Sequence, residues 1–112
     1  MRYPAHVDDV ARAIALIAAQ LVQGQPASAG GVYHLAGAEQ LTKYGMARVI
    51  ARDLGVDEQL VQSDPNPPPG APRPKDCRLD DSRLRALGFV PRIRFADGIH
   101  EALAPFRDAL QR

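Results

Sequence analysis

Tryptophan is absent from these 112 residues, and tyrosine and phenylalanine together supply only 5%. Aromatic platforms on which bases or sugar rings could stack are correspondingly scarce. A single cysteine, Cys77, excludes an internal disulfide framework and fits a reducing compartment. No stretch stays apolar over the roughly 20 residues needed to span a bilayer; the run from Val10 to Val22 is broken by Arg12 and Gln20. The opening Met1-Arg2-Tyr3-Pro4 does not lead into the short apolar block of a signal peptide, so the cytoplasm is the expected location. A net charge of +1 is too small for bulk electrostatics to point to nucleic acid or a membrane surface, and neither is expected as a partner. Nine glycines are present, but no G-x-G-x-x-G turn can be assembled from them, and there is no P-loop and no H-E-x-x-H. This chain is therefore expected to hold no cofactor, no metal and no catalytic set of its own.

What is present is an ordinary globular composition, 46% hydrophobic and 24% charged, in a length that suits one domain. Asp8 or Asp9 is placed to open a first helix, with Val10, Ile14, Ile17 and Leu21 as its apolar stripe and Gly24 as its stop. Many alanines on its other faces suggest burial on more than one side. Gly31 to Gly37 reads as a short strand. Thr42 caps a second helix, with Leu41 and Met46 as a hydrophobic staple, Met46, Ile50 and Leu54 inward and Gly55 at the end. Gly45 stands where a capping box would carry Glu or Gln. Gln59 to Gln62 is a second short strand. Residues 64–75 hold six of the ten prolines and form an extended loop, a spacer or a cover over a site. Asp80 caps a short helix with Leu79 and Leu84 as staple, Leu84 and Leu87 inward, and Gly88 as terminator. A last helix starts near Ala96 or Asp97 with Ile99, Leu103, Phe106 and Leu110 on one stripe, and Pro105 should kink or interrupt it. The expectation is thus an α/β lobe of four helices with two or three short strands and no complete Rossmann sheet.

Few side chains carry chemistry. His6 stands before two helix-capping aspartates and reads as exposed; His34, on the expected strand, reads as buried and hydrogen-bonded; His100 reads as solvated. Cys77 lies near Lys75 and Arg78 but has no assignable histidine, so it is not read as a nucleophile. Arg73, Lys75, Arg78, Arg83, Arg85, Arg92 and Arg94 face only Asp76, Asp80 and Asp81 between Ala71 and Phe95, a local charge of +4. Such a cluster is either a solvated face or a grip on a phosphate-bearing ligand.

Three segments carry a resemblance. They are Pro4-Ala5-His6-Val7-Asp8-Asp9-Val10-Ala11; Tyr33-His34-Leu35-Ala36-Gly37 running into Leu41-Thr42-Lys43-Tyr44; and Pro72-Arg73-Pro74 followed by Arg78-Leu79-Asp80 and Ser82-Arg83-Leu84. In that order they resemble the C-terminal third of the dTDP-4-dehydrorhamnose reductase family, within the extended short-chain dehydrogenases and reductases. The nearest branch contains the regulatory β-subunit of methionine adenosyltransferase. The resemblance implies that residues 1–112 are a substrate-binding lobe detached from an N-terminal Rossmann domain. That domain would hold NADP and the Tyr-x-x-x-Lys pair, and the lobe would close over a nucleotide-sugar. Tyr44 is followed four residues on by Arg48 rather than Lys, so no catalytic role passes to it. By the same resemblance Arg73, Pro74, Lys75 and Arg78 are the substrate-binding candidates, and Asp8, Asp9 and Asp80 remain structural caps. The alternative is a non-catalytic regulatory or protein-binding module; in that branch the relative continues past its last helix, whereas this chain stops at Arg112. A lobe cut from its other half is expected to cover its bare apolar surface by forming a homodimer.

Overall fold

Helix α1 (Val7–Val22) begins ahead of the aspartates expected to open it. The reason is His6: its half-buried ring accepts the amide of Asp8 on Nδ1 at 3.0 Å and serves as the cap. The computed structural model describes residues 1–23, 30–66 and 69–110, without the side chain of Leu110. Gly24 and the Leu110 side chain, expected as helix stop and stripe residue, lie outside these residues.

The face that α1 buries differs from the expected stripe. Asp9 and Ala13 are buried, and Leu16 and Ile17 pack beside Ala13 against Leu84 and Phe89. Val10, Ile14 and Leu21 are exposed, Ile14 at 62%. A small residue at 13 lets the helix approach Leu84 closely, and the carboxylate at 9 finds partners on the inner side. Tyr33 and Leu35 close this core, with the Arg83 guanidinium lying 4.5 Å from the Tyr33 ring centroid.

Helix α2 (Lys43–Leu54) starts as expected: Thr42 Oγ1 accepts the Gly45 amide at 2.9 Å. It ends as expected at Gly55, which takes φ 72°. Ala51 is buried and Met46, Ile50 and Leu54 are half-buried; the helix packs on α4. Asp57 then accepts the Gln59 amide and tightens Glu58–Leu60 into a single 3₁₀ turn. The short α3 (Ser82–Ala86) comes after Asp80, whose Oδ1 accepts the Ser82 amide at 3.0 Å. Gly88, at φ 91°, turns the chain so that Phe89 enters the core. Leu79 is 44% exposed, so the expected staple does not close. Helix α4 (Phe95–Leu110) starts one residue early because Glu39 Oε1 accepts the Phe95 amide at 2.5 Å. It runs through Pro105 without interruption. Ile99 and Leu103 are half-buried, and Phe106 is exposed.

The expected strands are not formed. Among the described residues there are four α-helices and no strand, only an isolated antiparallel bridge between Arg2 and Leu41. Residues 59–62 are drawn into the Asp57-capped turn and the irregular segment after it. Residues 31–37 form no ladder among the described residues; they meet the 2–4 segment at Gly37, whose amide donates to the Tyr3 carbonyl at 3.0 Å. A ladder needs a continuous row of backbone partners. His34 is exposed on this irregular segment rather than buried.

Candidate functional site

The 2–4 and 37–41 segments run so close that a Cβ at Gly37 would lie 1.8 Å from the Pro4 carbonyl oxygen. Glycine is required there, and Gly37 lines a polar cleft of about 240 Å³. Tyr3, Gln40, Arg78, Asp81 and Arg85 supply its polar lining. Burial, and then a hydrogen bond to Asp76 at 3.4 Å, raise the Tyr3 hydroxyl above its ordinary pKa, so it stays a protonated donor. Asp81 holds Arg85 at 2.9 Å and neutralises it in part. The cleft therefore offers a hydroxyl, an amide and two guanidinium groups, one partly neutralised. Such a set suits a ligand with anionic oxygens and hydroxyls.

Of the four substrate-binding candidates that the resemblance singles out, only Arg78 reaches this cleft; its own amide is fixed by Asp76 Oδ1 at 3.0 Å. Arg73, Pro74 and Lys75 are exposed on the irregular segment that leads to it, and the Lys75 carbonyl accepts the Met1 amino group. Cys77 accepts a hydrogen bond from the Arg2 guanidinium at 2.8 Å, and its amide bonds the Met1 carbonyl. These contacts hold the 75–78 segment against the N-terminal residues, and so set the mouth of the cleft. The rest of the basic cluster is largely engaged elsewhere. Arg83 donates to the carbonyls of Gly30 and Val32, at 2.5 and 2.7 Å, and Arg94 lies 3.8 Å from Glu39. Tyr3 and Gln40 are not legible in the sequence because nothing local distinguishes them; the Arg2–Leu41 bridge brings the two together, and the bonds from Met1, Arg2 and Tyr3 to residues 75–77 bring them to Arg78.

Two other polar clusters are structural. Asp9, 1% exposed, accepts Arg12 at 2.6 Å and the amides of Arg92 and Ile93. Its position in the sequence suggests a cap, and it is instead an interior tie. Asp53 on α2 accepts Arg107 at 2.9 Å and meets His100 Nδ1 at 2.6 Å, both on α4. Those bonds hold its carboxyl below the ordinary range, and His100, though exposed, is not merely solvated.

The residues present do not fit a dinucleotide. Its pyrophosphate needs free amides at a helix N-terminus behind a glycine-rich turn. Here the first turns of α1, α2 and α4 are capped by His6, Thr42 and Glu39.

The RmlD substrate binding domain family matches residues 1–108. Methionine adenosyltransferase 2 subunit beta of Mus musculus is 40% identical over 106 residues, which cover 94% of this chain and 31% of that protein. The same protein of Danio rerio is 35% identical over 109 residues, 95% of this chain and 33% of its own length. A dTDP-glucose 4,6-dehydratase of Streptomyces niveus is 38% identical over 106 residues, 92% of this chain and 28% of its own length. The chain thus spans about a third of the length of these relatives. No solved structure matches it. No helix among the described residues is long and apolar enough to cross a membrane. With a match that runs through nearly every residue, the chain belongs to the RmlD substrate binding domain family of the extended short-chain dehydrogenases and reductases.

Proposed function

We propose that this chain is the substrate-binding lobe of an NADP-dependent nucleotide-sugar reductase of the dTDP-4-dehydrorhamnose reductase type, and that it is inactive alone. The observation that carries the reading is the cleft that Arg78, Arg85, Tyr3 and Gln40 line together, in a chain of this family. Arg78 grips a phosphate of the nucleotide, and the exposed Arg73, Pro74 and Lys75 form the approach to it. NADP and the tyrosine acid belong to an N-terminal Rossmann domain of the parent protein; this chain's residues orient the sugar nucleotide. The protein works in the cytoplasm, as suits a chain whose Cys77 is a free thiol. Amide correlation spectra of the labelled chain during a titration with dTDP test this. Shifts confined to Tyr3, Gln40 and residues 73–85, lost in Arg78→Ala, are expected. Dispersed spectra that do not move would overturn the cleft as a nucleotide site.

A second reading has its own support. The 40% identity to a methionine adenosyltransferase subunit favours a non-catalytic regulatory module, and unmoved spectra would shift weight to it.

A further inference from the structure

Asp81 stands in the N-cap position of α3 and does not cap it. Its side chain accepts no amide of the first turn, and the Ser82 amide goes to Asp80. The carboxylate turns instead to Arg85, whose Nε it holds at 2.9 Å on Oδ1, and Asp81 lines the polar cleft. Stability does not account for that choice. The Arg85 side chain is 57% exposed, and an ion pair one turn apart on a solvated helix contributes less than the cap it replaces. The Asp81 side chain is only 20% exposed, yet among the described residues its Oδ2 has no hydrogen-bond partner. An acceptor oxygen is therefore left unspent on a residue of the cleft. A site for phosphate alone has no use for it, because the carboxylate cancels part of the Arg85 charge and repels the anion.

A carboxylate oxygen binds donors, and in a ligand held through its phosphates the donor to hand is a hydroxyl. The contact between Asp81 and Arg85 narrows the choice further, because the free oxygen belongs to the same carboxyl group that touches the guanidinium. It can read a hydroxyl that lies next to a phosphate. A glycosyl diphosphate carries its 2-hydroxyl on the carbon adjoining the phosphorylated one, whereas the deoxyribose of dTDP has no 2′-hydroxyl and holds its 3′-hydroxyl farther from the phosphates. The cleft, at about 240 Å³, is smaller than the roughly 300–1,000 Å³ of sites that enclose a whole small ligand, so it suits this junction of sugar and phosphate. We infer that Asp81 determines specificity here: it accepts the sugar 2-hydroxyl while Arg78 and the terminal nitrogens of Arg85 hold the adjoining phosphates, and the lobe prefers a glycosyl diphosphate to the bare nucleotide. This inference rests on the nucleotide reading of the cleft proposed above.

Titrations of the 112-residue chain with dTDP, dTDP-glucose and the 2-deoxyglucose analogue of the latter, followed by amide correlation spectra, test this. The wild-type chain is expected to bind dTDP-glucose about tenfold more tightly than either other ligand, as one hydrogen bond to a charged group would give. Asp81→Ala should erase that preference and bind dTDP itself about twofold or more tightly than the wild type, because the repulsion is gone. Equal wild-type affinities for dTDP and dTDP-glucose would overturn the inference and leave the nucleotide reading standing. An analogue that binds as well as dTDP-glucose would overturn the 2-hydroxyl as the group read; this comparison needs no variant and holds even if Asp81→Ala fails to fold. A folded Asp81→Ala chain that keeps the wild-type ratio, or that weakens all three ligands alike, would reduce Asp81 to a support for Arg85 and overturn its role in specificity. A wild-type chain that answers to none of the three would overturn the nucleotide reading itself, and this inference with it.

Discussion

Asp9 is charged, buried and surrounded by donors, and each of these facts pulls on its proton. Burial pushes its pKa up, but the Arg12 guanidinium and the amides of Ile93 and Arg92 outweigh burial and hold it below the ordinary carboxylate value. A carboxylate more acidic in the folded than in the unfolded chain stabilises the fold above its unfolded pKa of about 3.9, and that contribution disappears as the pH falls through the lower folded value. Asp9→Asn keeps the shape and loses the charge. It is expected to cost about 3 kcal/mol at neutral pH and to flatten the decline of the urea midpoint between about pH 4 and pH 2. A variant with the wild-type acid slope would remove Asp9 from this role. As a tie the residue is invisible in the sequence, where two adjacent aspartates before an apolar run look like caps. Arg12 is three positions away, but the backbone partners Arg92 and Ile93 lie more than eighty positions on.

At the scale of elements, legibility follows the range of the interaction. Thr42, Gly55 and Gly88 act within a few residues of themselves, and the helix ends they predict are where the sequence puts them; Asp80 misses by one residue, its carboxylate accepting the Ser82 amide while Asp81 takes the cap position. The sequence pattern predicts strands at 31–37 and 59–62, but a strand is a relation between two segments, and among the described residues no ladder forms at either. Periodicity identifies α1 and its apolar residues without saying which face is covered, because Ala13 and Asp9, the residues that decide it, do not stand out in an apolar pattern. The cleft is legible in part for the same reason: Arg78 declares itself by charge, whereas Tyr3 and Gln40 are brought to it by contacts between remote segments. Helix α4 departs from expectation at Pro105, which removes one amide donor from its third turn yet does not break it. Arg107 donates to the His100 carbonyl at 2.8 Å beside the gap and ties the helix to Asp53 on α2. Because Pro105 is exposed, Pro105→Ala should restore the missing bond without a new clash and stabilise the chain by about 1–3 kcal/mol. Thermal unfolding followed at 222 nm would then move upward; an unchanged midpoint would mean that the ties to His100 and Asp53 already compensate.

For the molecule as a whole, the small core is the governing fact. Ala13, Leu84 and Phe89 form its centre, and the radius of gyration is 17.7 Å, where a compact chain of this length has about 13 Å. The folded chain hides only about half of the surface its unfolded form exposes, a smaller share than a 60-residue domain manages. Since the slope of a urea transition scales with the area uncovered on unfolding, the chain at about 1 µM should unfold with a slope roughly one-fifth below that of a compact domain of equal length. A full-sized slope would show that the surface is covered in solution at that dilution. Loose as the whole is, one spot has no slack. At Gly37 the backbone passes the Pro4 carbonyl with no room for a single further carbon. Every other amino acid brings that carbon, so no mutation at this codon that changes the residue can be neutral. The position would stay fixed through lineages in which the α1 face, the proline loop and even the arginines of the cleft drift, because what is inherited there is not a function but the absence of an atom.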